Sequence, residues 1–121
     1  MKALALVVLA LLAFSAHAIV SDRHLRGVNA LECDLEAGNG GTAIAFKLLV
    51  RAKERRLQLA GTNQPFPYEE ISESSLRFPL ALAHGPALSC DLELPAGALA
   101  CRNPSAPEAQ PRLGLCLAAP N

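Results

Sequence analysis

The chain has 121 residues, of which 51% are hydrophobic, and its 11 Lys and Arg side chains balance its 11 Asp and Glu side chains. This balance argues against nucleic acid as the main partner, because phosphate binding needs a sustained excess of basic side chains. The length is that of one domain, large enough to bury a core but small enough for cross-links to contribute much of the stability.

Residues 1–18 have the pattern of an export signal. A single Lys precedes an apolar run over 3–14, and the small residues Ala16 and Ala18 suit a signal peptidase. The run is shorter than the roughly 20 apolar residues that cross a bilayer core. We therefore expect cleavage after Ala18, a mature domain over 19–121 with no stable membrane anchor, and a periplasmic or secreted location.

Beyond the leader, short segments alternate apolar and polar residues between turn residues, which is typical of half-buried strands. The segments with this pattern are 31–35, 44–50, 57–59, 76–80, 88–94 and 113–117. A helix is the alternative over 43–60, where good helix formers are frequent. The Pro-rich stretch 103–111 is expected to be a surface loop, and the polar segment 21–26 a flexible N terminus. The pattern predicts one all-β domain, a small antiparallel β-sandwich or partly closed barrel.

All four cysteines follow the leader, and an even number in an oxidising compartment favours disulfides over free thiols. Three pairings are possible. If 94–97 is a four-residue hairpin loop whose last Gly has a positive φ, Cys90 faces Cys101. Cys33 then pairs with Cys116 by elimination. A three-residue loop would move Cys90 and Cys101 out of opposition.

The last predicted strand conflicts with the Cys33–Cys116 pair. Leu113, Leu115 and Leu117 share one face of that strand, and an apolar face is expected to point into the core. Cys116 would then point outward, although Cys33 lies with the apolar side chains of its own strand. Either a β-bulge changes the alternation or the pairing is different.

No constellation of residues predicts a reaction or a cofactor. His24 and His84, the two histidines of the mature chain, have no partner at a metal-ligand spacing. The serines of 72–75 lie in no Gly-x-Ser-x-Gly motif of the type that exposes a nucleophile. We therefore expect no catalytic residue, no metal and no cofactor.

The alternative is a small hydrolase that acts on cell-envelope polysaccharide. Glu69, Glu70 and Glu73 provide carboxyl groups that could act as acid and base on a sugar, provided that two of them lie across a cleft. Such clefts usually carry stacking aromatic rings, and only 4% of this chain is aromatic, with no Trp. The aromatic content thus favours a binding protein over a hydrolase.

Two loops are candidates for a binding surface. The segment 51–56 places four positive charges on a predicted hairpin tip, which suits an acidic protein surface or an anionic envelope polymer, although a charge run is also typical of a solvated turn. The segment 63–68 is a Pro-braced loop whose two aromatic rings are either anchors for a partner or a cap on the core. The residues expected to make contact are Arg51, Lys53, Arg55, Arg56, Phe66 and Tyr68.

The order of these segments resembles that of small exported bacterial β-rich proteins of uncharacterised function. The resemblance is carried by a Cys-bearing first strand, the hairpin over 42–60, the segment 68–78, the turn 95–97 and the closing 114–116. It implies an antiparallel β fold and an envelope location.

Size and Cys placement are also similar to those of bacterial lysozyme inhibitors of the membrane-bound or periplasmic type. The Ser-Gly-x-x-Tyr-like inhibitory loop of that family has no clear counterpart here, and its lipid-attachment Cys is absent, so no site residue is carried over. We expect a non-enzymatic protein that binds or inhibits another envelope or extracellular protein through exposed loops.

Overall fold

A computed structural model describes residues 19–37, 43–82 and 86–120. The alternating segments form strands there, because apolar residues at every second position bury one face of each strand. The elements are helix α1 (Ile19–His24) and strands β1 (Ala30–Leu35), β2 (Ile44–Arg51), β3 (Arg56–Leu59), β4 (Phe66–Pro67), β5 (Glu69–Glu70), β6 (Ser75–Leu80), β7 (Leu88–Glu93), β8 (Ala98–Arg102) and β9 (Arg112–Ala118), with a 3₁₀ turn at Ala52–Glu54. The all-β prediction is confirmed. The expected leader over 1–18 and His84 lie outside the described residues.

The nine strands form one antiparallel sheet in the order β4-β3-β2-β1-β9-β8-β7-β6-β5. The two strands at the ends of this order, β4 and β5, are separated in the chain only by Tyr68. Leu57 of β3 lies opposite Phe66, and Leu76 of β6 lies opposite Glu70. Both edges of the sheet therefore meet on the segment 66–70, and the sheet is a nearly closed barrel.

The first and last strands close the other side of the sheet. Among the described strands, β1–β9 is the only pair whose members are not neighbours in the strand sequence. Cys33 lies directly opposite Cys116 and is bonded to it, and the antiparallel register runs without a bulge from the Leu31–Ala118 pair along both strands. The predicted long disulfide is confirmed.

The hairpin between β7 and β8 has the predicted geometry. Cys90 lies opposite Cys101 and forms the second disulfide, and Gly97 has a φ of 86°. A Cβ on Gly97 would lie 1.9 Å from the carbonyl oxygen of Cys116, and the N–H of Cys116 donates to the Gly97 carbonyl at 2.8 Å. The turn that aligns the short disulfide is thus packed directly against the strand that carries the long one.

The inner face of the barrel is filled by aliphatic side chains and both disulfides. The largest side chains that are buried almost completely include Leu35, Leu48, Leu57, Leu76, Phe78, Leu80 and Leu92. Burying one such side chain contributes about 1.5–3 kcal/mol relative to its exposure to water. Every long strand contributes to this core, so none of the long strands is held by backbone hydrogen bonds alone.

Strand β9 corrects the prediction that its leucines point inward. Cys116 is buried, whereas Leu113, Leu115 and Leu117 are 53%, 46% and 57% exposed on the outer face of the sheet. The leucine face is not the buried one, because the disulfide to the inward-facing Cys33 fixes which side of β9 turns to the core. Neither a bulge nor a different Cys pairing is needed.

The strand prediction over 43–60 is confirmed over its helical alternative, whereas the expectation of a flexible N terminus is wrong. Over 43–60, helical structure is limited to the 3₁₀ turn, because the alternating side chains of Phe46, Leu48 and Val50 pack on the core from a strand. The N-terminal segment is a helix rather than a flexible polar stretch, since Val20 and Leu25 are buried in the core. The loop 103–111 contains no strand, as expected.

The two disulfides are expected to differ in what they contribute to stability. In the chain-entropy model, a tie across 83 residues stabilises by about 4.5 kcal/mol and one across 11 residues by about 3 kcal/mol. We expect the Cys33→Ala/Cys116→Ala variant to lose more free energy of unfolding than the Cys90→Ala/Cys101→Ala variant, both measured by urea denaturation. An equal or reversed loss would show that closure by β1 and β9 does not depend on the long tie.

Candidate functional site

The predicted hairpin tip connects β2 and β3. After Arg51 the chain makes the 3₁₀ turn, and Arg55 adopts a left-handed φ of 54° with its N–H donating to the Ala52 carbonyl at 3.1 Å. Arg51 and Arg56 lie opposite each other in the sheet register. The four basic side chains of the tip are all exposed, so the structure places them together at one end of the barrel.

The four cations of the tip differ in what they contact. Arg55 Nε lies 2.8 Å from Glu70 Oε1, and the Glu70 side chain is only 10% exposed. Arg51 donates from Nη2 to the Gln58 side-chain oxygen at 3.1 Å. Lys53 and Arg56 make no ion pair with any described residue. Arg55 is thus a positioning residue for the tip, whereas the charges of Lys53 and Arg56 are exposed and not used in an ion pair with a described residue.

Helix α1 brings further positive charge to the same end. It contacts the 3₁₀ turn of the tip, and its buried Val20 and the buried Leu25 directly after it anchor it on the core. Arg23, within α1, and Arg26, just after it, are both exposed. Sequence reasoning missed these two cations because it treated the segment as flexible, although the apolar Val20 and Leu25 within a polar run were the available signal.

A polar cluster of Ser21, Arg55, Tyr68 and Glu70 ties α1 to the sheet. The hydroxyls of Ser21 and Tyr68 share a hydrogen bond of 2.5 Å, and the Ser21 hydroxyl also donates to Glu70 Oε1 at 3.3 Å. Glu70 Oε2 is buried without a hydrogen-bond partner among the described residues. The cluster joins α1, the tip and the segment 66–70, where the edges of the sheet meet.

The two aromatic candidates do not form a projecting anchor. Tyr68 is only 6% exposed, so its ring caps the core, which was one of the two alternatives from the sequence. Phe66 is half-buried, and its ring stacks on Phe78 with centroids 6.3 Å apart. The structure therefore separates the six predicted contact residues into four exposed cations and two rings that belong to the barrel.

The three glutamates of the hydrolase alternative lie in different surroundings. Glu70 is held by Arg55 and Ser21, whereas Glu69 is exposed opposite Arg77 and Glu73 is exposed in the turn before β6. Within 19–37, 43–82 and 86–120, no group of three His, Cys, Asp or Glu is placed to hold a metal ion. No helix in that part of the chain has both the length and the apolar character needed to span a membrane.

Comparisons of the chain with protein-family models, with curated proteins and with solved structures found no match.

Burial raises the pKa of the Tyr68 hydroxyl above its ordinary value of 10.0; Glu70 and Asp22 act in the same direction, while the Ser21 hydrogen bond and Arg55 oppose it. Tyr68 is the only Tyr of the chain, so phenolate absorbance reports on it alone. We expect the native titration midpoint to lie above 10.0 and to return to the ordinary value in urea.

The raised pKa of Tyr68 also predicts how stability depends on pH. Since the folded state keeps the proton longer than the unfolded state, the stabilisation is complete below pH 10 and falls as pH rises through the native pKa. Tyr68→Phe, which cannot ionise, should lose less stability in the same range, whereas equal losses in urea denaturation would show that Tyr68 is not buried in solution.

Proposed function

We propose that this protein is an exported, non-enzymatic module that binds another envelope or extracellular protein through the basic end of its barrel. The observation that carries the proposal is the pair of exposed cations Lys53 and Arg56, which make no ion pair with the described residues. Arg23 of α1 and Arg26, two residues after the helix, are exposed as well, and α1 contacts the 3₁₀ turn of the tip. The exposed acidic side chains Glu54 and Asp22 lie in the same two segments, but the basic side chains outnumber them. An excess of one sign favours a partner of the opposite sign, here an acidic protein surface.

The two disulfides support an exported location. Both cysteine pairs are bonded, and such bonds form and persist in oxidising compartments outside the cytosol. The apolar run at the N terminus has the pattern of an export signal. We infer a periplasmic or secreted protein, in agreement with the resemblance to small exported bacterial β-rich proteins.

A rigid tip lowers the cost of binding. Its two strands are paired with each other and β2 is paired with β1, while the Arg55–Glu70 ion pair fixes the turn to the segment 66–70. Side chains and loops that are already ordered lose less conformational entropy when a partner is bound.

Attraction between exposed charges weakens with salt, so the association of the basic tip with its partner should weaken as the salt concentration rises.

The surroundings of the glutamates favour binding over hydrolysis. A glycosidase holds two carboxyl groups across a cleft, but Glu70 accepts bonds from Arg55 and Ser21 through one oxygen and is buried at the other. Glu69 and Glu73 are exposed to solvent on separate elements. We therefore assign the three carboxylates no part in a reaction.

Charge reversal tests the basic end as a binding surface. Lys53→Glu/Arg56→Glu should abolish cross-linking to a partner that the wild-type protein captures in the envelope fraction of its source cells, as quantified by mass spectrometry. Both side chains are exposed, so the free energy of unfolding should change by less than about 0.5 kcal/mol. Capture by the wild-type protein should fall as salt is raised.

The matched control is Lys47→Glu/Arg102→Glu, which changes the net charge equally at exposed positions away from the tip. This control variant should still cross-link to the partner that the wild-type protein captures. Retention of every partner by the tip variant would refute the proposal. So would loss of polysaccharide-cleaving activity in Glu69→Gln/Glu73→Gln, because it would establish the hydrolase instead.

A further inference from the structure

An apolar row runs along the outer face of β9, away from the basic tip. Leu113, Leu115 and Leu117 stand there at 53%, 46% and 57% exposure, although the inner face of the barrel offers them burial. Beside them on β8, the short side chains of Ala98 and Ala100 lie opposite Leu115 and Leu113. Small side chains next to a row of large ones form a shallow trough, and exposed apolar rows of this kind mark interaction sites.

Acidic side chains border the leucine row on its β1 side. Glu32 lies opposite Leu117 and Asp34 lies opposite Leu115, and both carboxylates are exposed. On β2, Lys47 lies opposite Glu32 but makes no ion pair with it in the described part of the chain. The β1 margin therefore carries negative charge next to the leucines.

The β7 side of the trough is acidic as well. Across β8, Glu93 lies opposite Ala98 and Asp91 lies opposite Ala100. Arg77 neutralises Asp91 through an ion pair of 2.7 Å, whereas Glu93 is exposed without an ion pair to any described residue. Arg102 is an exposed cation on the same face of β8 as Ala98 and Ala100. The carboxylates of Glu32, Asp34 and Glu93 outnumber Arg102 and Lys47, so the surroundings of the trough are net negative.

We propose that the leucine row of β9 and its acidic margins form a second docking surface, which accepts a cationic amphipathic helix of another protein. A second copy is a less favourable occupant, because it would bring its own Glu32, Asp34 and Glu93 carboxylates to this net negative face. Backbone pairing is excluded too, since β9 is already bonded to β1 and β8 on both sides. What remains is a partner that brings apolar side chains flanked by Lys or Arg.

The spacing of the row suits a helix. Alternate residues of a strand are about 6.8 Å apart, and residues four apart on a helix are separated by about 6 Å along its axis. Three apolar residues at i, i+4 and i+8 would therefore follow the three leucines. Basic residues on either side of that apolar stripe would face the two margins, which lie one and two strand spacings away.

Binding of designed peptides tests this surface without knowledge of the natural partner. The probe is a labelled helix of about 14 residues, about 21 Å long, with Leu on one face and Lys on both sides. A second peptide has Glu in place of Lys, and a third has the cationic composition in scrambled order. By fluorescence anisotropy, we expect the first peptide to bind and the other two to bind at least roughly tenfold more weakly, since a tenfold difference needs only a modest change in free energy.

Two variants assign the binding to the proposed residues. Leu113→Thr/Leu115→Thr/Leu117→Thr should weaken it by roughly tenfold or more through lost apolar burial. Glu32→Gln/Asp34→Asn should weaken it and reduce its salt dependence. Ile71→Thr, another exposed apolar position at 44%, is the matched control and should bind as the wild type does. Unchanged circular dichroism and unfolding midpoints would establish that the variants are folded.

Three results would overturn the proposal. The first is unchanged binding to the triple Leu variant, and the second is equal binding of the scrambled peptide. The third is a wild-type dimer in sedimentation analysis that the triple variant loses, because a second copy would then cover the row. Lys53→Glu/Arg56→Glu should leave peptide binding intact. The proposal for the leucine row and the proposal for the basic tip can therefore be refuted separately.

Discussion

The fold depends on the pairing of β1 with β9. Every other pair among the described strands joins neighbours along the chain, and without this one β1 and β9 would be two unpaired edges in the middle of the sheet. The Cys33–Cys116 bond fixes that pairing covalently in a single register. It also determines which face of β9 turns inward, since side chains alternate along a strand and a buried Cys116 leaves its neighbours outside. The exposed leucine row is thus a direct consequence of how the barrel closes.

The second seam of the barrel has no covalent tie and is held by polar contacts. Along 66–70, the chain pairs first with β3 and then with β6, and the Tyr68 N–H donates to the Arg55 carbonyl at 3.2 Å. The Glu70 carboxylate forms an ion pair with Arg55 of the tip and accepts a hydrogen bond from the Ser21 hydroxyl of α1. Removing one member of such a network leaves a buried polar group without a partner, which costs more than the bond itself contributes. The seam therefore couples the order of α1 to that of the basic tip.

The sequence predicts the local strand pairings well, but it predicts poorly which face of a distant strand is buried and which distant side chains are in contact. The turn at 94–97 and the Cys90–Cys101 register follow from a few adjacent residues, and the structure confirms both. On β9, the alternation showed which residues share a face but not which face is buried. Three leucines on one face suggested that this face is buried, whereas the single Cys116 lies on the face that is. The Ser21–Tyr68 bond joins residues 47 positions apart, and no spacing rule connects them. Likewise, no spacing rule shows that α1, which carries Arg23, contacts the 3₁₀ turn of the tip.

The acidic side chains of β1 stand between the two proposed binding surfaces. Because β1 pairs with both β9 and β2, Glu32 and Asp34 separate the leucine row from the strand that leads to the tip. An acidic partner that suits the tip is repelled by this row of carboxylates, and a cationic helix that suits the leucines is repelled by the tip. Discrimination between partners needs such unfavourable contacts as well as favourable ones. The closed sheet fixes both charge patterns on one rigid body, so each surface selects its partner by the sign of the charge.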